Sequence, residues 1–180
     1  LILLVNSDII LKPNPILWQY MIDRATEGLF MAKRFDFDED IKHSRIRNHG
    51  IDVFCFHKKF VPLFPDYIFA IGIPFWDYWM PYIFTINHFP CVQYRDYFAY
   101  HKNHPTQWRY DAWKKCAMAF KEYYNIPGNQ PGDISNNIKK VFYKNTRKID
   151  KYGMLLDKMD HEEVVYNPLL NKKVKDLIQF

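Results

Sequence analysis

The chain opens on an unbroken apolar run, Leu1-Ile2-Leu3-Leu4-Val5, that stops at once in Asn6-Ser7-Asp8. A run this short, bounded by polar turn formers, predicts a central strand buried on both faces of a sheet. An acidic residue directly behind such a strand sits at the sheet's carboxyl edge, where open α/β sheets take their ligands. The next elements continue the pattern. Asn14 as N-cap and Pro15 at the first helical position begin a helix through about Ala25, Gly28 stands where a glycine stop belongs, and Leu29 to Phe35 returns as a strand. Asp36 to Asp40 is expected as an acidic loop, His49-Gly50 as a turn and Asp52 to Phe56 as a further strand, before Pro62 and Pro65 interrupt the chain. Phe75 to about Phe84 predicts a short aromatic helix, and Cys91 to Tyr94 and Tyr97 to Tyr100 predict extended segments.

Strands and helices that alternate in this way predict an α/β layered sheet over residues 1–110. After Trp108 the pattern is wholly helical, with helices expected over Asp111 to Tyr124, Ser135 to about Ile149, and from Asn167-Pro168 onward. The expected organisation is therefore a mixed sheet followed by a helical extension over residues 111–180, the stretch Pro127 to Gly132 serving as a loop. No initiator Met and no basic leader precede Leu1, so the first strand is expected to be an interior strand of a fragment, one neighbour being missing or supplied by another chain. That expectation carries possible homo-oligomerisation through the N-terminal strand.

Composition narrows the function classes. Apolar residues make up 48% and aromatic residues 18%, which excludes a disordered chain and suits both a core and a carbohydrate platform, where a sugar's C–H face lies on a ring. The 25 basic against 20 acidic residues favour anionic partners. Much of the excess lies in Lys139-Lys140, Arg147-Lys148 and Lys172-Lys173, which read as solvated helix faces, so no nucleic-acid partner is expected. Cys55, Cys91 and Cys116 form no C-x-x-C pair and fit reduced thiols, which suggests a cytoplasmic setting. The apolar stretch from Tyr67 to Ile86 holds Gly72, Pro74, Asp77 and Pro81, and is expected as a folded, buried segment that does not span a membrane.

Three places carry candidate chemistry. Asp8, behind its strand, is placed to hold a hard cation such as Mn²⁺ or Mg²⁺ that bridges a diphosphate, although Asn6, Ser7 and Asp8 are also common turn formers. Asp77 lies among rings in Gly72-Ile-Pro-Phe-Trp-Asp-Tyr-Trp79, where an unpaired carboxylate is expensive to bury. It is expected either to cap a helix or, with its pKa raised by apolar surroundings, to act as a general base. Trp76 and Trp79 would share one helix face and form a wall for an acceptor. His101 and His104, separated by Lys102-Asn103, can meet one ion if the segment turns.

Taken in order, the strand ending in Asn6-Ser7-Asp8, then Gly50-Ile-Asp-Val-Phe54, then the Gly72 to Trp79 block, then His101-Lys-Asn-His104, resembles the GT-A-type glycosyltransferases over about residues 1–110. Asn6 stands where that family carries the first Asp of its D-x-D motif. The resemblance implies a nucleotide-sugar donor held at Asn6, Ser7 and Asp8, and a metal shell of Asp8 with His101 or His104. It also implies Asp77 as base or acceptor-binding group and a glycan or other hydroxyl acceptor. The implied reaction is metal-dependent glycosyl transfer with inversion. The alternative is a catalytically silent domain of the same fold that binds a glycan or a partner protein.

Overall fold

A computed structural model describes residues 1–12, 14–67, 72–105, 109–151, 153 and 154. The helix expected from Asn167-Pro168 and the pair Lys172-Lys173 lie outside the described residues. Six strands form one mixed sheet: β1 (Ile2–Val5), β2 (Ile9–Leu11), β3 (Leu29–Phe37), β4 (Arg45–Phe56), β5 (Cys91–Lys102) and β6 (Thr146–Ile149). Their order is β1-β4-β3-β5-β2, and β6 also pairs with β5. β3 and β5 run parallel, β1 and β3 are antiparallel to β4, and β2 is antiparallel to β5. β6 takes the first part of β5, at Cys91 to Tyr94, while β2 takes the later part, at Ala99 to His101.

Period-two alternation sorts the side chains into two cores. Phe30, Ala32, Val53 and Cys55 face one way, against Leu17, Tyr20, Met21 and Ala25 of helix α1 (Pro15–Glu27). Leu29, Met31, Phe54 and Phe56 face the other way, against α2 (Trp76–Ile86), α3 (Tyr110–Tyr124) and α4 (Pro131–Asn145). Among the described residues the sheet thus carries α1 on one face and α2, α3 and α4 on the other. α1 begins as its sequence predicts: the Asn14 side chain accepts from the Leu17 N–H at 2.8 Å, with Pro15 at the first position. At its end Gly28 lies so close to the Pro90 carbonyl that a Cβ would stand 2.0 Å from that oxygen.

The structure corrects several expectations. β1 is an edge strand paired only with β4 among the described residues, and it is half-buried, Leu3 being 37% exposed, so it is not an interior strand buried on both faces. His49-Gly50 is no turn. β4 runs through it, and between the pairs Lys33↔Ile51 and Phe35↔Ile46 its register on β3 shifts, so the turn signal is absorbed as a bulge, a usual place for glycine inside a strand. Asp36 belongs to β3 and not to a loop. The two extended segments after Cys91 are one strand, β5, with its own irregularity: β3 passes from Ala32 to Arg34 while β5 passes from Tyr94 to Ala99. The region after Trp108 is not wholly helical, because α4 ends at Asn145 and Thr146 to Ile149 return to the sheet with Thr146 and Ile149 buried. All three cysteines are free thiols. No helix among the described residues is long and apolar enough to cross a membrane.

Candidate metal centre

Crossing from one edge of the sheet to the other makes the site. β1 ends beside β4, β2 begins beside β5, and the Asn6-Ser7-Asp8 connection between them passes over the sheet end where the parallel strands β3 and β5 finish. Ligand sites of open α/β sheets favour that carboxyl edge. Two hydrogen bonds fix the crossing. The Ile9 N–H donates to the Asn6 carbonyl at 3.2 Å, and the Asn6 amide donates to Asp52 Oδ1 at 2.7 Å. Asp52 in turn receives Arg34 Nη1 on its other oxygen at 2.9 Å. Asn6 is therefore a positioning residue for the loop, tied into β4 and β3, and Ser7 is exposed beside it.

Asp8, His101 and His104 come together as the sequence spacing suggested. Asp8 Oδ2 lies 3.3 Å from His101 Nε2 and 3.0 Å from His104 Nε2, and the two imidazole nitrogens are 3.2 Å apart. Pairs of ligand atoms on one divalent ion, with bonds of about 2.1 Å, stand roughly 3.0 Å apart at a right angle and roughly 3.4 Å apart in a tetrahedron. The observed separations fall within that range, so the three donors fit one ion with positions left over. Both imidazoles are oriented from behind. His101 is 5% exposed and its Nδ1 faces Asp36 Oδ1 at 3.3 Å, while His104 Nδ1 lies 2.9 Å from the Pro105 carbonyl, a partner that places the proton on Nδ1 and frees Nε2. Burial pushes the Asp8 carboxyl up, but the hydrogen bond with His104 and the charge of His101 outweigh it and hold its pKa below the ordinary value. The same contact with Asp8 raises the pKa of His104. The Asp8 side chain keeps 38% of its surface exposed, so the cluster is open to a ligand from solvent.

Asp77 occupies the first turn of α2, on the sheet face that carries Phe54. Burial, and then the nearby charge of Asp52, pushes its carboxyl up to about 7, while the backbone N–H groups of Asp77 and Tyr78 pull it back. Two features mark the backbone around it. Phe75, just before the helix, is held at φ 76°, a left-handed conformation that costs a bulky residue energy and persists because its ring is locked among Tyr78, Trp113 and Phe120. Pro81 has no N–H to offer the Asp77 carbonyl, so the helix is loosened at that residue.

Trp76 and Trp79 belong to the core and do not wall an open site. They are 5% and 7% exposed. Trp76 meets Phe54 edge-on at 5.1 Å, Trp79 meets Phe64 at 5.3 Å, and the Trp79 indole N–H donates to the Tyr124 hydroxyl at 2.9 Å. Sequence reasoning missed Arg34, Asp36 and Asp52, which connect Asp8 and His101 to the sheet interior. The only signal for them was charge inside otherwise apolar strands, at Lys33-Arg34 and at Asp52.

Fold and site together define a mixed α/β protein whose parallel strand pair ends in a candidate Asp-His-His metal centre. The chain matches no protein family, no curated protein and no solved structure.

Proposed function

We propose that this chain is a metal-dependent glycosyltransferase of GT-A type that moves a sugar from a nucleotide-sugar donor to an acceptor hydroxyl. The observation that carries the reading is the convergence of Asp8, His101 and His104 at the carboxyl edge of the sheet, within electrostatic reach of a second carboxylate system, Asp52, that also influences Asp77. Two imidazoles with one carboxylate suit Mn²⁺ better than Mg²⁺, which prefers all-oxygen shells. A bound Mn²⁺ would supply charge to neutralise a diphosphate leaving group. Asp8, His101 and His104 would hold the ion, Asn6 and Asp52 fix the loop that presents Asp8, and Asp77 takes the proton. In the transfer the acceptor oxygen forms a bond to the anomeric carbon as the bond from that carbon to the diphosphate oxygen breaks. The electron pair leaves with the diphosphate and the hydroxyl proton goes to Asp77, an attack that inverts the anomeric centre.

Asp77 with a pKa near neutrality is suited to this task, since an acid–base group works best when its pKa lies near the working pH. One observation favours a second reading, a silent domain of the same fold. Asp77 also accepts from backbone N–H groups of its own first turn, as a structural carboxylate at a helix start does.

Calorimetric titration with uridine and guanosine diphosphates, with Mn²⁺ or with EDTA, tests the reading. Mn²⁺ should tighten binding of one diphosphate, and that Mn²⁺-dependent gain should disappear in Asp8→Ala while circular dichroism stays unchanged. Equal binding in EDTA, or an unaffected Asp8→Ala variant, rejects the metal centre and with it the transferase.

A further inference from the structure

Three lysines of the later chain gather at one cavity, although Lys140 and Lys148, like Arg147, also stay exposed as a solvated face would be. Lys33 from β3, Arg95 from the irregular part of β5, Lys139 and Lys140 from α4, and Lys148 from β6 line one cavity of about 590 Å³, and no carboxylate lines it among the described residues. Two of these ammonium groups share one ring: Lys33 Nζ and Lys148 Nζ lie 5.8 and 5.4 Å from the centre of Tyr143. Lys33 is 4% exposed, and burial followed by the charges of Arg95, Lys139 and Lys148 pulls its pKa down to about 8. A concavity whose own cations oppose one another's charge is a strong anion attractor. Gln93 lies at its wall, wholly buried, its amide near the Tyr143 hydroxyl but without a hydrogen bond of good geometry on either nitrogen or oxygen within the described chain.

Lys139, which lines the cavity, holds its Nζ 4.9 Å from the centre of the Tyr78 ring, and Tyr78 follows Asp77 directly in α2. Asp77 interacts electrostatically with Lys33 and Lys139, which line the cavity, and with Asp52, which is bonded to Asn6 beside the metal cluster. A group held by the five cations would therefore lie toward the first turn of α2, which carries Asp77 and Tyr78. Nothing in the transfer chemistry proposed above uses these cations.

We infer that this cavity receives a phosphoryl group carried by the acceptor and so places the acceptor hydroxyl at Asp77. The inference rests on the transferase reading and names its acceptor class. A phosphomonoester offers up to two charges and three terminal oxygens, which suits a planar Arg fork surrounded by several ammonium donors, whereas a carboxylate has one charge and two oxygens to share among them. The volume lies within the range of small-molecule sites and exceeds what a bare phosphate fills, so a phosphorylated sugar or the headgroup of a phospholipid fits. A nucleic-acid strand needs cations strung along an exposed surface, while these converge on one concavity with Lys33 at its base.

The test is a calorimetric titration of the whole chain, in EDTA, with glucose 1-phosphate and with glucose. Glucose 1-phosphate should bind and glucose should not, and the affinity should fall about tenfold in Lys139→Gln and about tenfold again when Lys140→Gln is added, with circular dichroism unchanged. A second arm sediments the chain with phosphatidylcholine vesicles that contain or lack phosphatidic acid. Co-sedimentation that requires phosphatidic acid and is lost in the double variant assigns the phosphoryl group to a lipid, and its absence alongside glucose 1-phosphate binding assigns it to a soluble acceptor. Equal affinity for the two sugars, full binding by the double variant, or tighter binding of a single-stranded oligonucleotide overturns the inference. Chelation keeps this readout separate from the metal titration. Loss of Mn²⁺-dependent diphosphate binding with glucose 1-phosphate still bound rejects the transferase reading, and the reverse result rejects the cavity assignment alone.

Discussion

Asp77 holds its proton near pH 7 because its carboxyl is buried and feels the charge of Asp52, and that one shift has consequences for both stability and turnover. Its folded value, about 7, lies above the ordinary 3.8, so between those pH values the folded chain keeps a proton that the unfolded chain releases. The stabilisation from that proton is complete below about pH 4 and is lost as pH rises through about 7. Asp77→Asn cannot ionise, so urea unfolding should show the variant gaining about 2–4 kcal/mol on the native protein between pH 4 and pH 8. A difference that stays flat across that interval would show a carboxyl that ionises freely. If Asp77 is the base, turnover of the native enzyme should rise with pH through about 7, and Asp77→Asn should lower it by roughly 10² to 10⁴ with donor binding nearly unchanged. Near-normal turnover in the variant leaves Asp77 a first-turn carboxylate of α2 and nothing more.

At the scale of elements, the junction between α1 and β3 allows no side chain. Gly28 keeps ordinary, near-extended φ (−169°), so backbone freedom is not what requires glycine there; space is. The Leu29 N–H donates to the Pro90 carbonyl at 2.9 Å, drawing the chain before β5 against the chain before β3, and the missing Cβ makes that approach possible. Because the neighbouring atom is backbone, it cannot swing aside. Gly28→Ala should cost about 2–3 kcal/mol in chemical denaturation and should loosen the parallel β3–β5 pair that carries Asp36 and His101. A loss within about 0.5 kcal/mol would mean that the strands slide apart without penalty. The glycine was visible in the sequence as a helix stop, and its second use, as the point of contact with Pro90, was not.

At the scale of the whole molecule, one core joins sheet and helices. Phe142 of α4 is fully buried in the same cluster as Met31 and Phe54 of the sheet, Phe84 of α2 and Phe120 of α3, and β6 continues from α4 into the sheet beside β5. Helices α3 and α4 are thus part of the packing that supports the strands. Phe142→Ala should lower stability by about 3–5 kcal/mol, and tryptophan fluorescence and far-ultraviolet dichroism should still report one coincident transition. Helices that melt before the tryptophans of α2 become exposed would instead separate residues 111–154 as a unit of their own.

Local signals in the sequence determined the elements whose reasons are local. Asn14 and Pro15 start α1 because a side-chain acceptor and a fixed φ act within four residues, and alternation in Leu29 to Ala32 and Val53 to Phe56 divides the two faces because strand geometry does so wherever a strand is buried. The spacing of His101 and His104 and the acid after β1 also pointed to the Asp-His-His cluster, a candidate metal site, since each lies at the end of a recognisable strand. Only the tertiary structure decided what depends on a neighbour. β1 became an edge because β4 alone pairs with it, His49-Gly50 became a bulge because β3 carries β4 through it, and Trp76 and Trp79 became core because Phe54, Phe64 and Tyr124 surround them. The lysines of α4 and β6 show the same limit. Their period fits a solvated helix face, and Lys140 and Lys148 are exposed; it takes the return of β6 to β5, beside β3 with Lys33, to gather them around one cavity, because charge patterning along one segment carries no information about which segment packs across from it.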